Sequence, residues 1–461
     1  MKRVEIKRAR SLKGEITPPP DKSISHRAVM LAALADGKSI VRNPLMAEDP
    51  VSTMNAMRML GVEITEARNQ KSEIKSNSEL PWVVDRTPNS ELIIHGKGLY
   101  GLKEPLDVIN CGNSGTTVRL LSGILAGNPF FSVLNGDDSL KQRPMARVIN
   151  PLKEMGADIS GRGNDGYLPA AIKGRKLKAI NYNMPVASAQ VKSCLILAGL
   201  YAGGLTVITE PQRSRDHTER MLKSMGADIE VDGLTIRVRG YPPMSPLIKG
   251  GIEGGLNPLD VTVPADFSSA AFFIAAVLIV PDSEILIKNV CINPTRTGML
   301  EVIKDMGGIV RLENIRDVSG EPVADIHCKS ADALKAVKMD KDIMPSLIDE
   351  FPILCVLAAQ ADGLTEIRGA EELRVKESDR IKAMATELRK MGVELEEYPD
   401  GIAIKGGVQL KGAEVESYND HRIAMSLAIA GLAADGTTTI YNASCVDISF
   451  PGFFEMLKGL I

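Results

Sequence analysis

Aromatic residues are scarce in this chain: they make up 4% of its 461 residues, and Trp82 is the only tryptophan. Proteins that hold single-stranded nucleic acid stack bases on aromatic faces, so this shortage argues against that class. Net charge is scarce as well. The formal charge is −3 and the isoelectric point about 6.1, so no basic field points to nucleic acid or to an anionic membrane. Any recognition of anions has to be local. The six cysteines (Cys111, Cys194, Cys291, Cys328, Cys355 and Cys445) lie far apart with no metal-ligand spacing, which suits reduced structural thiols in a cytoplasm. The longest apolar run, Ala270 to Pro281, is too short to span a bilayer, and the N-terminus has no apolar leader segment. Nucleophile elbows, Walker-type loops and clustered metal ligands are also missing, so serine-triad, P-loop and metal chemistry lack support. The rest is an ordinary globular composition, 44% hydrophobic and 25% charged, with a length that favours two or three domains.

What the chain does have is internal repetition. One phrase occurs five times: Met57-Arg-Met-Leu-Gly-Val-Glu-Ile64, Leu152-Lys-Glu-Met-Gly-Ala-Asp-Ile159, Leu222-Lys-Ser-Met-Gly-Ala-Asp-Ile229, Ile303-Lys-Asp-Met-Gly-Gly-Ile-Val310 and Leu388-Arg-Lys-Met-Gly-Val-Glu-Leu395. Each reads as a helix end, a glycine stop and a strand. A second phrase, an Ala/Leu-rich helix followed by a turn and a β-rich strand, precedes each of the five copies and also a sixth helix, Phe453–Gly459: Ala32–Ile40, Leu121–Val133, Leu195–Val207, Ala275–Leu286, Leu354–Ile367 and Leu427–Ile440. Two phrases alternating in step predict six copies of one α/β unit, each about 70–95 residues long. They form either one closed array or two domains of three units. Pro/Gly-rich breaks at Tyr241–Pro246 with Gly250–Gly255, and at Pro18–Pro20, suggest two crossings. On that reading residues 1–20 plus 256–461 form domain 1 and residues 21–255 form domain 2. The polar stretch 65–91 is expected to be a loop or hairpin within the first unit.

Charge is placed oddly. In Pro18-Pro-Pro-Asp-Lys-Ser-Ile-Ser-His-Arg27, Asp21 reads as an N-cap, and Ile24, Ala28, Leu31 and Ala35 continue at helical spacing to Gly37 as the stop. Lys22 and Arg27 then occupy the first turns, where the helix dipole disfavours cations unless an anion binds there. Other helix starts share the feature. Cys111-Gly-Asn-Ser-Gly-Thr-Thr-Val-Arg119 is a glycine-rich turn that can approach a phosphate, and Gln142-Arg-Pro-Met145 puts a proline at the first helical position behind Arg143. Ser188-Ala-Gln190, Arg213–Thr218, Arg374–Arg380 and Asn419–Arg422 open further helices, with Lys376 and Arg380 expected on one helix face. Each alone also fits a solvated turn or a capping residue. Together, in a repeat that puts equivalent helix starts on one side, Lys22, Arg27, Arg143, Arg215, Lys376, Arg380 and Arg422 predict a cleft for ligands carrying phosphate and carboxylate. Asp349 and Glu377, placed among cations, are candidate proton handlers.

Seven motifs occur in order: Asp21-Lys-Ser-Ile-Ser-His-Arg27, Gly112-Asn-Ser-Gly-Thr-Thr117, Arg143-Pro-Met145, Ser188-Ala-Gln190, Ile348-Asp-Glu-Phe-Pro352, Arg374-Val-Lys-Glu-Ser-Asp-Arg380 and Asp420-His-Arg422. On these residues the chain resembles the EPSP synthase family of enolpyruvyl transferases from end to end. The resemblance implies two domains of an inside-out α/β barrel, each of three βαβαββ repeats about a pseudo-threefold axis, with the active site between the domains. It implies transfer of the enolpyruvyl group of phosphoenolpyruvate to shikimate 3-phosphate, in aromatic amino-acid synthesis. Carried over motif by motif, Lys22, Ser23, Arg27, Ser188, Ala189, Gln190, Arg215, Asp349 and Lys376 resemble the shikimate 3-phosphate set. Lys22, Asn113, Gly115, Arg143, Gln190, Arg380 and Arg422 resemble the phosphoenolpyruvate set. Asp349, Lys22 and Glu377 resemble the catalytic residues, and the residues leave open which of them moves which proton. The reading expects a cytoplasmic monomer with small-molecule substrates and no metal, cofactor, nucleic acid or membrane. Two departures stand out: Ala189 replaces a second serine common in the family, and Ile448 stands where some members carry lysine. A sister transferase acting on UDP-N-acetylglucosamine, an RNA-terminal phosphate cyclase and a non-enzymatic ring of repeats are the competing readings.

Overall fold

A computed structural model describes residues 3–68, 90–241 and 255–461. Trp82, most of the 65–91 stretch and the Pro/Gly-rich break after Tyr241 lie outside the described residues. The helices are α1 (Lys22–Leu34), α2 (Glu48–Met59), α3 (Gly115–Ala126), α4 (Ala146–Glu154), α5 (Ala189–Gly199), α6 (His217–Ser224), α7 (Phe267–Ile279), α8 (Gly298–Asp305), α9 (Phe351–Gln360), α10 (Arg380–Lys390), α11 (His421–Ala433) and α12 (Phe453–Lys458). None is long and apolar enough to cross a membrane.

The chain divides into two compact units. The C-terminal unit comprises Met1–Pro19, Pro264–Asp317 and Pro322–Ile461, and the N-terminal unit comprises Pro20–Val263 with Val318–Glu321. The sequence boundary at residue 255 falls short of Val263 because strand Asp260–Thr262 pairs in parallel with Asp36–Arg42, keeping the chain in the N-terminal unit.

Among the described residues, five repeats each build one four-stranded sheet of the same plan, and the sixth builds a three-stranded one from Glu414–Glu416, Thr437–Tyr441 and Val4–Lys7. In the second, Ile109–Asn110 runs parallel to Phe131–Asn135, which pairs antiparallel with Tyr167–Lys173 and that in turn with Asp158–Arg162. The third (Asn181–Asn183, Leu205–Thr209, Thr235–Arg239, Ile229–Asp232) and fifth (Lys338–Met339, Leu364–Ile367, Gly401–Lys405, Glu394–Tyr398) repeat this order. In the first repeat Glu63–Arg68 and Ser90–Lys97 pair antiparallel, Arg68 opposite Ser90, so the residues flanking the polar stretch form a hairpin. The chain start completes the C-terminal unit: Lys13–Ile16 runs parallel to Glu284–Cys291, and Val4–Lys7 pairs antiparallel with Thr437–Tyr441.

The recurrent glycines explain why one phrase yields one structure. Gly61, Gly156, Gly226, Gly307 and Gly392 have φ between +82° and +93°, where a side chain is strained. Each donates its N–H to the helix carbonyl three residues back, and the next residue donates to the carbonyl five back, as in Gly156 to Lys153 and Ala157 to Leu152. This is the Schellman closure, which satisfies carbonyls left over at a helix end and turns the chain into the strand. The Ala/Leu-rich helices form the interior. α7, α9 and α11 pack on one another and are buried on nearly every side, which fits their lack of a polar face. All six cysteines are free and buried.

Local expectations needed three corrections. Gly37 does not stop α1: the helix ends at Leu34, Ala35 turns extended, and Gly37 (φ +117°) belongs to strand Asp36–Arg42. Pro144 is not the first residue of α4, which begins at Ala146. Lys376 and Arg380 do not share a helix face, because Lys376 is extended and precedes Asp379, the N-cap of α10.

Candidate active site

In the N-terminal unit the sequence motifs gather around the starts of α1, α3, α5 and α6. Asp21 caps α1, its Oδ1 accepting from the Ile24 amide at 2.8 Å, so Lys22 and Ser23 open the helix. Lys22 Nζ lies 3.1 Å from Asp49 Oδ2 on α2. Arg27 is turned inward: Nε donates to Thr218 Oγ1 (2.8 Å), Nη1 to the Ser23 carbonyl (3.0 Å) and Nη2 to Ser193 Oγ (2.9 Å). Burial pulls its pKa down to about 10; Glu219 opposes that pull and Arg215 adds to it. It is thus an internal strut, with Arg215 approaching Ser23 Oγ at 3.4 Å from the other side.

Ser114 caps α3 and Ser188 caps α5, accepting from the amides of Thr117 and Val191. Ala189, the departure from the family pattern, is the first residue of α5. Gln190 Oε1 accepts from Arg119 Nη1 (2.7 Å), and its Nε2 donates to Thr116 Oγ1 (3.1 Å), tying α5 to α3. Arg143 donates to the Asn113 carbonyl at 3.2 Å and to its side-chain oxygen. A Cβ at Gly115 would stand 2.6 Å from Arg119 Nη1 and 3.6 Å from Arg143 Nη1, so two guanidinium groups crowd this glycine. Asn113, Gly115, Arg143 and Gln190 therefore meet on one turn. Sequence reasoning passed over Arg119 and Asp49. Arg119 was visible as a cation one helical turn past Gly115; Asp49 had no signal beyond its charge.

In the C-terminal unit the other candidates surround Arg380 at the start of α10. Arg380 donates to Asp420 (Nε–Oδ2 2.8 Å, Nη2–Oδ1 3.3 Å) and to Glu377 Oε2 (2.7 Å), and its Nη1 lies 3.5 Å from Asp349 Oδ1. Burial opposes its charge, but Asp420, Glu377 and Asp349 outweigh burial and hold its pKa above the ordinary arginine value. Asp420 caps α11 through the Arg422 amide, and although burial pushes its pKa up, Arg380 holds it below the usual carboxylate range. Arg422 donates from Nη1 to the Asp349 carbonyl (2.8 Å) and has Nη2 3.6 Å from Asp349 Oδ2. Asp349 thus sits in a short turn before α9 with two guanidinium groups directed at it. Lys376 has no hydrogen-bond partner among the described residues. Burial lowers its pKa, and Asp349 and Glu377 counter the shift.

This arrangement supplies carboxylates held beside fixed cations at helix starts, which suits proton transfer next to bound anions. The family model for EPSP synthase (3-phosphoshikimate 1-carboxyvinyltransferase) matches residues 6–457. A 3-phosphoshikimate 1-carboxyvinyltransferase of Thermodesulfovibrio yellowstonii is 56% identical over 455 residues, covering 99% of each chain. The solved EPSP synthase of Acinetobacter baumannii is 42% identical with a TM-score of 0.83, covering 100% of this chain and 98% of that one. The enolpyruvyl transferase NikO of Streptomyces tendae shares the fold at 17% identity, with a TM-score of 0.72 over 99% of this chain and 96% of that one. The chain belongs to the EPSP synthase (3-phosphoshikimate 1-carboxyvinyltransferase) family.

Proposed function

We infer that this chain transfers the enolpyruvyl group of phosphoenolpyruvate to the 5-hydroxyl of shikimate 3-phosphate, releasing phosphate, in aromatic amino-acid biosynthesis. The observation that carries the reading is the convergence of Arg380 and Arg422 on Asp349, in a chain of this family. Lys22, Ser23, Arg27, Ser188, Ala189, Gln190, Arg215, Asp349 and Lys376 take shikimate 3-phosphate. Lys22, Asn113, Gly115, Arg143, Gln190, Arg380 and Arg422 take phosphoenolpyruvate. Arg27 contributes mainly by holding the Ser23 backbone, since its three nitrogens already have protein acceptors.

In the addition step Asp349 accepts the 5-hydroxyl proton as the oxygen attacks C2 of phosphoenolpyruvate, and C3 takes a proton with Glu377 as partner. The tetrahedral adduct then loses a proton from C3 and expels phosphate, restoring the vinyl group. Arg143, Arg380, Arg422 and Lys22 stabilise the carboxylate and the departing phosphate throughout. The Arg380–Asp349 contact, at 3.5 Å, is the weakest that Arg380 makes and the one a substrate anion would replace. The same reading makes the protein a cytoplasmic monomer.

Phosphate release tests this reading. Turnover should require phosphoenolpyruvate and shikimate 3-phosphate together. No release with both present, or release only with a UDP-sugar as acceptor, overturns it.

A further inference from the structure

Behind the loop that carries Arg215 lies a charged group that the proposed reaction does not use. Lys192, on α5, is 1% exposed, and its Nζ reaches Glu219 Oε1 at 2.7 Å, Glu210 Oε2 at 2.9 Å and the Ser214 carbonyl at 3.2 Å. Three acceptors match the three protons of an ammonium group, which leaves none to spare. Glu210 and Glu219 have side chains 3% and 5% exposed, so the whole triad is buried. Glu210 also accepts from the Ser214 hydroxyl, so residues 210–214 close on themselves around Lys192. The neighbour of Lys192 on the same helix, Ser193, bonds Thr218 Oγ1 at 2.7 Å. Two consecutive α5 side chains therefore clamp Ser214 and Thr218, the residues on either side of Arg215 and the start of α6.

A buried ion triad is poor value for stability, because desolvation offsets the attraction between the charges. Apolar residues of equal volume would serve stability as well, so its presence suits a task of placement. Part of that task concerns Arg27: Glu219 is the first charge opposing the loss of its proton, and Arg27 holds the Ser23 carbonyl. A cavity of about 400 Å³ borders the triad and is lined by none of the residues assigned to substrates.

We propose that Lys192, with Glu210 and Glu219, is a positioning residue that fixes Arg215 and Ser23 for the 3-phosphate of the acceptor substrate. The proposal rests on the reading that Arg215 contacts shikimate 3-phosphate. Losing the clamp lets Arg215 wander, which weakens acceptor binding while leaving the chemistry at C2 and C3 and the phosphoenolpyruvate contacts in place.

The test is steady-state kinetics on the full chain with Lys192→Met, Lys192→Met/Glu219→Gln and Arg215→Ala, with circular dichroism and thermal unfolding to establish folding. The double variant neutralises Glu219, one of the two buried carboxylates that lose their ammonium partner in the single variant; Glu210 keeps the Ser214 hydroxyl as donor. The expected result is a KM for shikimate 3-phosphate raised about tenfold in the double variant, with kcat and the KM for phosphoenolpyruvate within about twofold. An unchanged acceptor KM in the double variant, beside a raised one in Arg215→Ala, overturns the positioning role alone. An unchanged KM in Arg215→Ala overturns the underlying contact and the proposal with it. Failure of both Lys192 variants to fold would make the triad a stability element and also overturns the proposal.

Discussion

Arg380 and Asp420 form a two-pronged ion pair almost without exposure: Nε–Oδ2 is 2.8 Å, Nη2–Oδ1 is 3.3 Å, and the side chains are 2% and 0% exposed. Asp420 also caps α11, so one carboxylate joins the starts of α10 and α11. Removing the guanidinium strands Asp420 in a dry site and leaves Glu377 without its 2.7 Å partner. Arg380→Met should therefore cost about 3–5 kcal/mol of unfolding free energy, the range for breaking a buried pair. Equilibrium denaturation checks this through the midpoint at constant slope. A loss below about 1 kcal/mol would mean that the pair is held for chemistry alone.

Asp349 is the carboxylate on which both Arg380 and Arg422 converge, and its proposed task is to take the 5-hydroxyl proton. Asp349→Asn keeps the shape and removes the base. Turnover should fall roughly 10²–10⁴-fold, the usual range for a general base, with the KM for phosphoenolpyruvate changed far less. Near-normal turnover would pass the proton to another group.

The legible features were those set by neighbours in sequence. Helix starts showed because Asp21, Ser114, Ser188, Asp379 and Asp420 each cap through their own side chain within three residues. The repeat showed because a Schellman closure needs glycine at one position and a buried apolar residue just before it, and Met155, Met225, Met306 and Met391 supply the latter. Contacts between separate elements did not show. Lys22 with Asp49 and Gln190 with Arg119 join different helices, Lys192 with Glu210 joins α5 to the loop after strand Leu205–Thr209, and no local spacing encodes them. The expected Lys376–Arg380 face failed because helical periodicity was carried back past the N-cap, where the backbone is extended.

The glycine stops make a separate test. Gly156 has φ +93° and only the Lys176 carbonyl at 4.0 Å near a hypothetical Cβ, so Gly156→Ala meets strain without a clash. The expected loss is about 1–2 kcal/mol, the cost of left-handed backbone for an L-residue. Gly203 has no positive φ and nothing within 4 Å, so Gly203→Ala is the control and should be neutral or slightly stabilising. Equal midpoints for the two variants would remove the conformational reason for the repeated glycine.

His26 gives the protein a predictable acid response. It lies in the Lys22–Arg27 motif but is fully buried, with Nδ1 2.7 Å from Thr53 Oγ1; Thr53 in turn meets Thr117 Oγ1 at 2.7 Å. Its Nε2 is buried and has no hydrogen-bond partner among the described residues. Burial first, then the charges of Lys22 and Arg27, hold its pKa well below the ordinary 6.5. The unfolded chain binds a proton here near pH 6.5, whereas the folded chain does not until lower pH. The stability tied to this group is therefore complete above about pH 6.5 and falls as pH drops towards the folded pKa, by up to about 1.4 kcal/mol per pH unit. Unfolding free energies between pH 7.5 and 5, by denaturant titration at about half-unit steps, should fall more steeply for the natural chain than for His26→Asn. Parallel slopes would show that His26 titrates alike in both states, and acid sensitivity would then have to come from other groups.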